Sequence, residues 1–490
     1  MTRLSKSRFV AGMQCHKLLW WRVHEPGAVE LQPDKVLQDR FDQGRQVESI
    51  ARGRFPDGVL IDLPHDAVER RLRETRDALA SGASTIFEAG FLAEDTFVAA
   101  DVLQREANGF RLIEVKSSST VKDDHISDAA VQVHVLRKSG VDVRHAEILH
   151  LNKEFRFPDQ GDLFVRANVT ERVEAALPGV PAEITAQLAM LAGPLPDVPI
   201  GAQCFEPREC PFMARCWPDR PDHIMRLYNV GPKRGCEYMT VGVHSIADIP
   251  PSQKLPPAAQ RQVQALQQQR LIVEPGLARA LTPFSGKLGF LDFETISRAV
   301  PVWPGMAPWE QAAAQFSYHE AREGGGYSHV GYLAEGPHDA RPGLARAMLE
   351  ATAGAERIVM YTPFERTRIR SLQQSVPELA ADLKRLEAKL IDLHPVIRDY
   401  VYHPDFLGSF SLKYVLHPLV PDLTYNDLVI VDGLVASVEI ARLLFVAHKI
   451  PPAERDRVRQ DLLNYCERDT WAMVKLLERL RELSRPTADS

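Results

Sequence analysis

Residues 96–118, TFVAADVLQREANGFRLIEVKSS, read as two strands joined at Asn108-Gly109. The flanking runs are rich in β-branched and aromatic residues, and Asn-Gly is a strong signal for a tight hairpin turn. Side chains two apart on a strand share a face, so Glu114 and Lys116 project together. Asp101 stands across the hairpin, near enough to share one cation with Glu114. The preceding TIFEAGFLA (85–93) supplies a third strand. A helix is expected over 126–139 (ISDAAVQVHVLRKS), followed by a strand over 143–151 (VRHAEILHL). This β-β-β-α-β order predicts a mixed α/β fold with the carboxylates on its central strands.

Outward from this core, residues 1–60 read as helical, with Gly44 to Glu48 inside an amphipathic stretch, and 66–80 as a charged helix ending at Ser81-Gly82. Residues 155–200 are mixed, with a helix near 170–192. The first domain is expected over 1–222. Residues 223–283 read as a helical linker, in which Gly231, Gly242, Val243 and Ile246 suggest a helix-hairpin-helix-like element. A second α/β domain is expected over 284–490. It opens with the strand KLGFLDFET (287–295) and continues with a strand at 357–361. Helices are expected at 364–374, 376–390, 436–447 and 454–481.

A chain of 490 residues exceeds one ordinary core, so two or three domains are expected. Hydrophobic content of 45% with 25% charged residues belongs to a globular protein rather than a disordered one. The net charge of -6 does not advertise a nucleic-acid binder, yet catalytic carboxylates raise the acid count, and a local basic groove can still hold phosphates. No apolar run nears the ~20 residues that span a bilayer. Gln14 to Lys17 interrupt the apolar N-terminal stretch, unlike a secretion signal. The expected location is the cytoplasm, with no membrane partner.

The chemistry resides in two carboxylate sets and a group of thiols. Asp101 and Glu114 offer the hard oxygens that suit Mg²⁺ or Mn²⁺, and Lys116 would polarise water or offset charge on a phosphodiester. Gln132 on the following helix would orient water or substrate, and Glu48 would supply a further metal ligand. In the second half, Asp292 and Glu294 share a strand face, while Tyr465 and Asp469 stand four apart on a helix and stack on one side of it. Such a set can bracket two divalent ions, with Tyr465 orienting the attacking water. The same residues also suit ordinary solvated strand ends and packed helix faces. Cys204, Cys210 and Cys216 recur every six residues, with Cys15 far upstream; in a reducing compartment this reads as metal binding before disulfide. Cys236 and Cys466 read as ordinary buried thiols.

Residues 1–220 resemble the PD-(D/E)XK nucleases of the RecB type, including CRISPR-adaptation nucleases. The resemblance rests on Cys15 in QCHKLLW, Gly44 to Glu48, Asp101, Glu114-Val115-Lys116-Ser117-Ser118, Gln132 and the final cysteine run. It implies a restriction-endonuclease-like α/β core closed by a 4Fe–4S cluster on Cys15, Cys204, Cys210 and Cys216, with structural Zn²⁺ as the alternative. Glu48 stands where relatives often carry histidine, and Leu136 where a Gln-x-x-x-Tyr pattern would place tyrosine. LDFE (291–294), YTPFERTRI (361–369) and NYCERDT (464–470) resemble the motifs of DnaQ-type DEDD exonucleases, implying an RNase H-like domain. That resemblance makes Asp292, Glu294 and Asp469 metal ligands and Tyr465 the water-orienting group. The middle motif, normally ending in Asp, carries Glu365, with Asp392 as a second candidate carboxylate. The whole also resembles an uncharacterised bacterial family fusing the two modules, with 406–437 as its hallmark. In that stretch Ser411, Leu412, Asp432 and Gly433 would shape the second pocket and Lys413 would bind substrate phosphate.

The expected activity is metal-dependent hydrolysis of phosphodiesters, in DNA before RNA, by an endo- or exonuclease module and a 3′–5′ exonuclease module. DNA repair and phage defence are the settings suggested by analogy. The alternative is a nucleic-acid-binding or scaffold protein whose C-terminal module is inactive.

Overall fold

The computed structural model describes residues 3–64 and 66–485. The chain forms two compact units, one of residues 1–217 with 298–310, the other of residues 218–297 with 311–490. Both are mixed α/β. The segment 223–283 falls in the second unit, and the 298–310 excursion in the first.

The first unit is built on a seven-stranded sheet: β1 (Leu4–Ser5), β2 (Val59–Leu60), β3 (Thr85–Ala93), β4 (Thr96–Glu106), β5 (Gly109–Lys116), β6 (Val143–Leu151) and β7 (Phe164–Asn168). The order is β2-β3-β4-β5-β6-β7, with β1 parallel to the start of β4. Asp101 and Glu114 therefore lie on the expected central strands. Glu106 pairs with Gly109, so the turn residues are Ala107 and Asn108. Gly109 sits just after them at φ +106°.

Three helices fill the expected helical N-terminus, α1 (Lys6–Gln14), α2 (His16–His24) and α3 (Lys35–Arg52). α4 (Val68–Ala80) and α5 (Asp123–Lys138) follow the sequence closely. α5 is buried along almost its whole length and packs on the sheet through Ala129, Ala130, Val133 and Leu136. The helix expected over 170–192 is broken into Thr170–Ala176 and Val180–Leu191. Pro178 lies at the break, where a ring without an N–H interrupts the hydrogen-bond ladder. The 298–310 segment is held to its unit by Arg298 on Asp39 (2.7 Å), by Ala299 N–H on Gln43 (2.6 Å), and by Trp309 Nε1 donating to the Ser117 carbonyl (2.6 Å).

The second unit carries a five-stranded sheet: β8 (Leu288–Ser297), β9 (Gln311–Ala321), β10 (Tyr327–Leu333), β11 (Arg357–Met360) and β12 (Leu390–Asp392). The order is β10-β9-β8-β11-β12, antiparallel across the first three and parallel across the last three. β8 is central and buried on both faces, hence its near-continuous apolar run. Leu291 and Phe293 join a core with Leu344, Ile369, Leu372 and Leu383, while Asp292 and Glu294 take the opposite face. Helices α6 (Phe364–Ser375), α7 (Leu412–Leu419), α8 (Gly433–Phe445) and α9 (Pro452–Leu483) complete the parts that reach the site. Residues 223–283 are more than a linker: helices Gly231–Thr240 and Pro257–Gln268 flank a small core of Ile224, Leu227, Val243, Ile246 and Ala259. Among the described residues, no helix is long and apolar enough to cross a membrane.

A Cβ at position 109 would lie 2.5 Å from the Asp142 carbonyl, at a φ that L residues rarely adopt. Gly109→Ala is therefore expected to destabilise the first unit by about 1–3 kcal/mol, read as a lower denaturant midpoint.

Candidate functional site

In the first unit, the site forms where one edge of β4 changes partner. β1 pairs with Thr96 and Phe97, and β5 with Val102 to Glu106. Residues 98–101 between them have no strand on that edge, and Asp101 ends the gap. Its Oδ2 accepts the Val115 N–H (2.8 Å), taking the place of a ladder carbonyl and fixing Asp101 beside Glu114. Glu114 is fully buried. Its Oε2 accepts from Gln132 Nε2 (2.8 Å) and its Oε1 from Lys116 Nζ (2.8 Å). Lys116 also donates to Asp128 Oδ2 (2.6 Å).

The expected residues Asp101, Glu114 and Lys116 are thus brought together. Glu48 lines the same cleft of about 360 Å³, and no hydrogen bond ties it to the other acids. Gln132 is buried behind the carboxylates, and its Nε2 donates to Glu114 (2.8 Å) and Asp128 (3.2 Å). Two participants escaped the sequence. Asp128 stands one helical turn before Gln132, a spacing that a search for carboxylates beside Gln132 would have found. Lys6 donates to both Asp101 Oδ1 (3.1 Å) and Glu114 Oε1 (2.8 Å), and no local pattern marks it.

Three acids and two ammonium groups share this space, and the acids divide the charge. Burial opposes ionisation of Glu114, yet Lys116 and Lys6 together hold its carboxyl well below the usual range. Burial and the neighbouring Glu114 charge push Asp101 up to about 8. Burial and Glu114 also raise Asp128. Lys116, flanked by Glu114 and Asp128, is held above its ordinary value despite burial.

The four expected cysteines line one cavity with Trp21, Phe212 and Trp217. Cys15 lies between α1 and α2, Cys204 closes a short turn, and Cys216 ends the helix Met213–Cys216. The Cys210 N–H donates to the Cys204 carbonyl (2.8 Å), and Gln14 Nε2 donates to the carbonyls of Gln203 and Arg208 (2.8 and 2.7 Å). Burial and the other three thiols raise Cys210 to about 11.

In the second unit, Asp292, Glu294 and Asp469 present carboxylate oxygens within 4.8 Å of one another, the one such group of three or more potential ligands among the described residues. β8 supplies the first two and α9 the third. Tyr425, a residue the sequence reading missed, donates its hydroxyl to Asp469, and Tyr465 stands one turn before Asp469 on α9. Lys413 Nζ lies 5.2 Å from the Tyr465 ring centre and 5.8 Å from that of Tyr425. Ser411 precedes α7 and Leu412 opens it, one residue before Lys413. Asp432 caps α8 through the Val435 N–H (2.9 Å), and a Cβ on Gly433 would lie 3.5 Å from Glu294.

Glu365, buried on α6, is the carboxyl that reaches Asp292. Asp392 instead accepts the N–H groups of Thr362 (3.1 Å) and His394 (2.9 Å), a structural role. Cys466 is buried as expected but is no bystander, since its Sγ lies 3.5 Å from Asp292 Oδ2. Burial, and then the charge of neighbouring carboxylates, pushes Asp292, Glu294 and Glu365 well above the usual range. Asp469 rises to about 6 through burial, restrained by the Tyr425 hydroxyl and Lys413.

Residues 289–411 match the family model described as a domain of unknown function, DUF2779. No curated protein matches the chain. Among solved structures, the family B DNA polymerase from the hyperthermophilic archaeon Pyrobaculum calidifontis is similar over 39% of this chain and 24% of that chain. The identity is 13% and the TM-score 0.26, so this chain spans about a quarter of that polymerase.

The raised carboxyl of Asp101 carries a pH signature. The folded chain holds a proton there that the unfolded chain releases near pH 3.8, so its contribution to stability is present at low pH and declines as pH rises towards about 8. The melting temperature of metal-free Asp101→Asn is expected to fall less steeply between pH 6 and 8 than that of the wild type, in parallel thermal scans.

Proposed function

We propose that the chain is a metal-dependent nuclease with a separate phosphodiester-hydrolysing site in each unit, acting on DNA before RNA. The observation that carries this reading is the convergence, in both units, of carboxylates far apart in sequence beside a lysine or tyrosine. In the first unit Asp101 and Glu114 would hold Mg²⁺ or Mn²⁺, with Glu48 at the cleft wall as a further ligand. Lys6 on their two inward oxygens already supports this fit, because an ammonium sits where those oxygens face a common cation. In the second unit Asp292, Glu294 and Asp469 would hold the ions, with Glu365 beside Asp292. The bound ion supplies a more acidic water and charge neutralisation at the phosphate.

The remaining chemistry belongs to the chain. Lys116 is held protonated by Glu114 and Asp128 and can offset negative charge on a phosphate. Gln132 acts as a positioning residue for Glu114. Tyr465 is well placed to orient a water, and Lys413 to meet a phosphate oxygen. The sheet order of the second unit, with its first strand central, supports an RNase H-like fold, and the hairpin-to-helix core of the first supports a PD-(D/E)XK fold. Together these features support a RecB-like and DnaQ-like fusion.

For the thiols, a 4Fe–4S cluster is the favoured group. The four cysteines line one cavity, a donor set that suits such a cluster and, as the alternative, tetrahedral Zn²⁺. Closing a loop of about 190 residues, such a group would stabilise the unit by restricting its unfolded chain.

End-labelled DNA and RNA strands with Mg²⁺ or Mn²⁺ test the activity. Lys116→Ala is expected to slow cleavage by the first site on the order of 10²-fold or more, and Asp292→Ala to remove 3′ trimming alone. Absence of cleavage by the wild type on every substrate would favour the binding or scaffold reading, and Glu365→Asp would show whether the second site is limited by its longer carboxyl. Protein purified without oxygen is expected to be brown, with iron and sulfide in equal amounts. Cys210→Ala should lose both and become less soluble; a colourless protein with stoichiometric zinc would reverse the cofactor assignment.

A further inference from the structure

The first carboxylate site contains a cation of its own. Lys6 is the first residue of α1, directly after the Ser5 cap, whose Oγ accepts the Arg8 N–H (3.3 Å). A positive charge is disfavoured there, because the amino end of a helix carries the positive end of its dipole. Something outside the helix must compensate. β1 pairs Ser5 with Phe97 and delivers Lys6 to the open edge of β4 that Asp101 terminates.

Each carboxylate of the pair spends one oxygen on the fold and turns the other to Lys6. Asp101 Oδ2 is taken by the Val115 N–H and Glu114 Oε2 by Gln132. The two remaining oxygens, Asp101 Oδ1 and Glu114 Oε1, are those through which the pair would grip an ion together, and both accept from Lys6 Nζ. Lys116 does not duplicate this contact: it shares Glu114 Oε1 but turns its other bond to Asp128. The Lys6 side chain retains 27% exposure and lines the open cleft, so it has room to leave.

We infer that Lys6 is a built-in, displaceable cation of the first site: it occupies the shared face of Asp101 and Glu114 when no divalent ion is bound, and an ion must dislodge it in order to bind. Metal loading is then an exchange of one cation for another, and the affinity of the site is set below what its carboxylates alone would give. The inference rests on the reading of Asp101 and Glu114 as metal ligands.

Calorimetric titration of Mn²⁺ into the full-length chain separates the two ideas, with the first-site isotherm identified as the one that Glu114→Gln removes. Lys6→Met keeps the stem and removes the charge; it is expected to bind Mn²⁺ at that site about tenfold more tightly, the scale of one charge-assisted contact. Its metal-free form should melt at a lower temperature than the wild type, with Mn²⁺ raising that temperature more than in the wild type. Lys6→Gln, which keeps a donor, should show a smaller gain of the same sign and carries the comparison if the Met variant does not fold. Unchanged or weaker Mn²⁺ binding in a folded Lys6 variant would overturn the inference while leaving the metal site intact. If the wild type and both variants lack any isotherm that depends on Glu114, the metal reading fails and the exchange fails with it.

Discussion

Ionised carboxylates gathered away from water repel one another and lose hydration, and the architecture of this chain depends on how that cost is met. Each unit brings at least three acids into one place, and each meets the cost differently. In the first, two ammonium groups stand among Asp101, Glu114 and Asp128, so one carboxylate is firmly ionised while its neighbours take up protons more readily. In the second, Lys413 is set back over two tyrosine rings, and the acids are relieved by protonation, by each other and by the Tyr425 hydroxyl. Unpaired buried charge is costly enough that neither arrangement can be incidental to folding.

Backbone geometry creates the places where these charges meet. The open stretch of β4 between β1 and β5 gives Asp101 a free edge and lets its side chain stand in for a missing strand. In the second unit β8 is buried on both faces, so its acidic residues are covered by helices rather than by solvent. α9 brings Tyr465, Cys466 and Asp469 over that face on one continuous helix. The cysteines act at a larger scale. With Gln14 and its bonds to Gln203 and Arg208, they draw the start and end of the first unit to one cavity.

Much of this was legible in the linear chain. The hairpin holding Asp101, Glu114 and Lys116 announces itself through alternation and Asn108-Gly109, and α9 through its amphipathic length. Other elements were not legible, for identifiable reasons. QAAAQFSYHEA (311–321) is alanine-rich and has little strand character of its own, yet it becomes the buried neighbour of β8 because sheet pairing overrides local propensity. β1 is two residues long and exists only because the edge of β4 accepts it.

The sequence by itself determined which candidate side chains share a face: side-chain type and strand or helix spacing are local properties, and they place Glu114 with Lys116, Asp292 with Glu294, and Tyr465 with Asp469. Only the tertiary structure decided who joins them. Lys6 reaches Asp101 across 95 positions and Glu114 across 108, Tyr425 reaches Asp469 across 44, and Glu365 rather than Asp392 turns to Asp292. The physical reason is that the cost of a buried charge depends on everything packed around it. Its partners are therefore chosen by the fold and not by proximity along the chain.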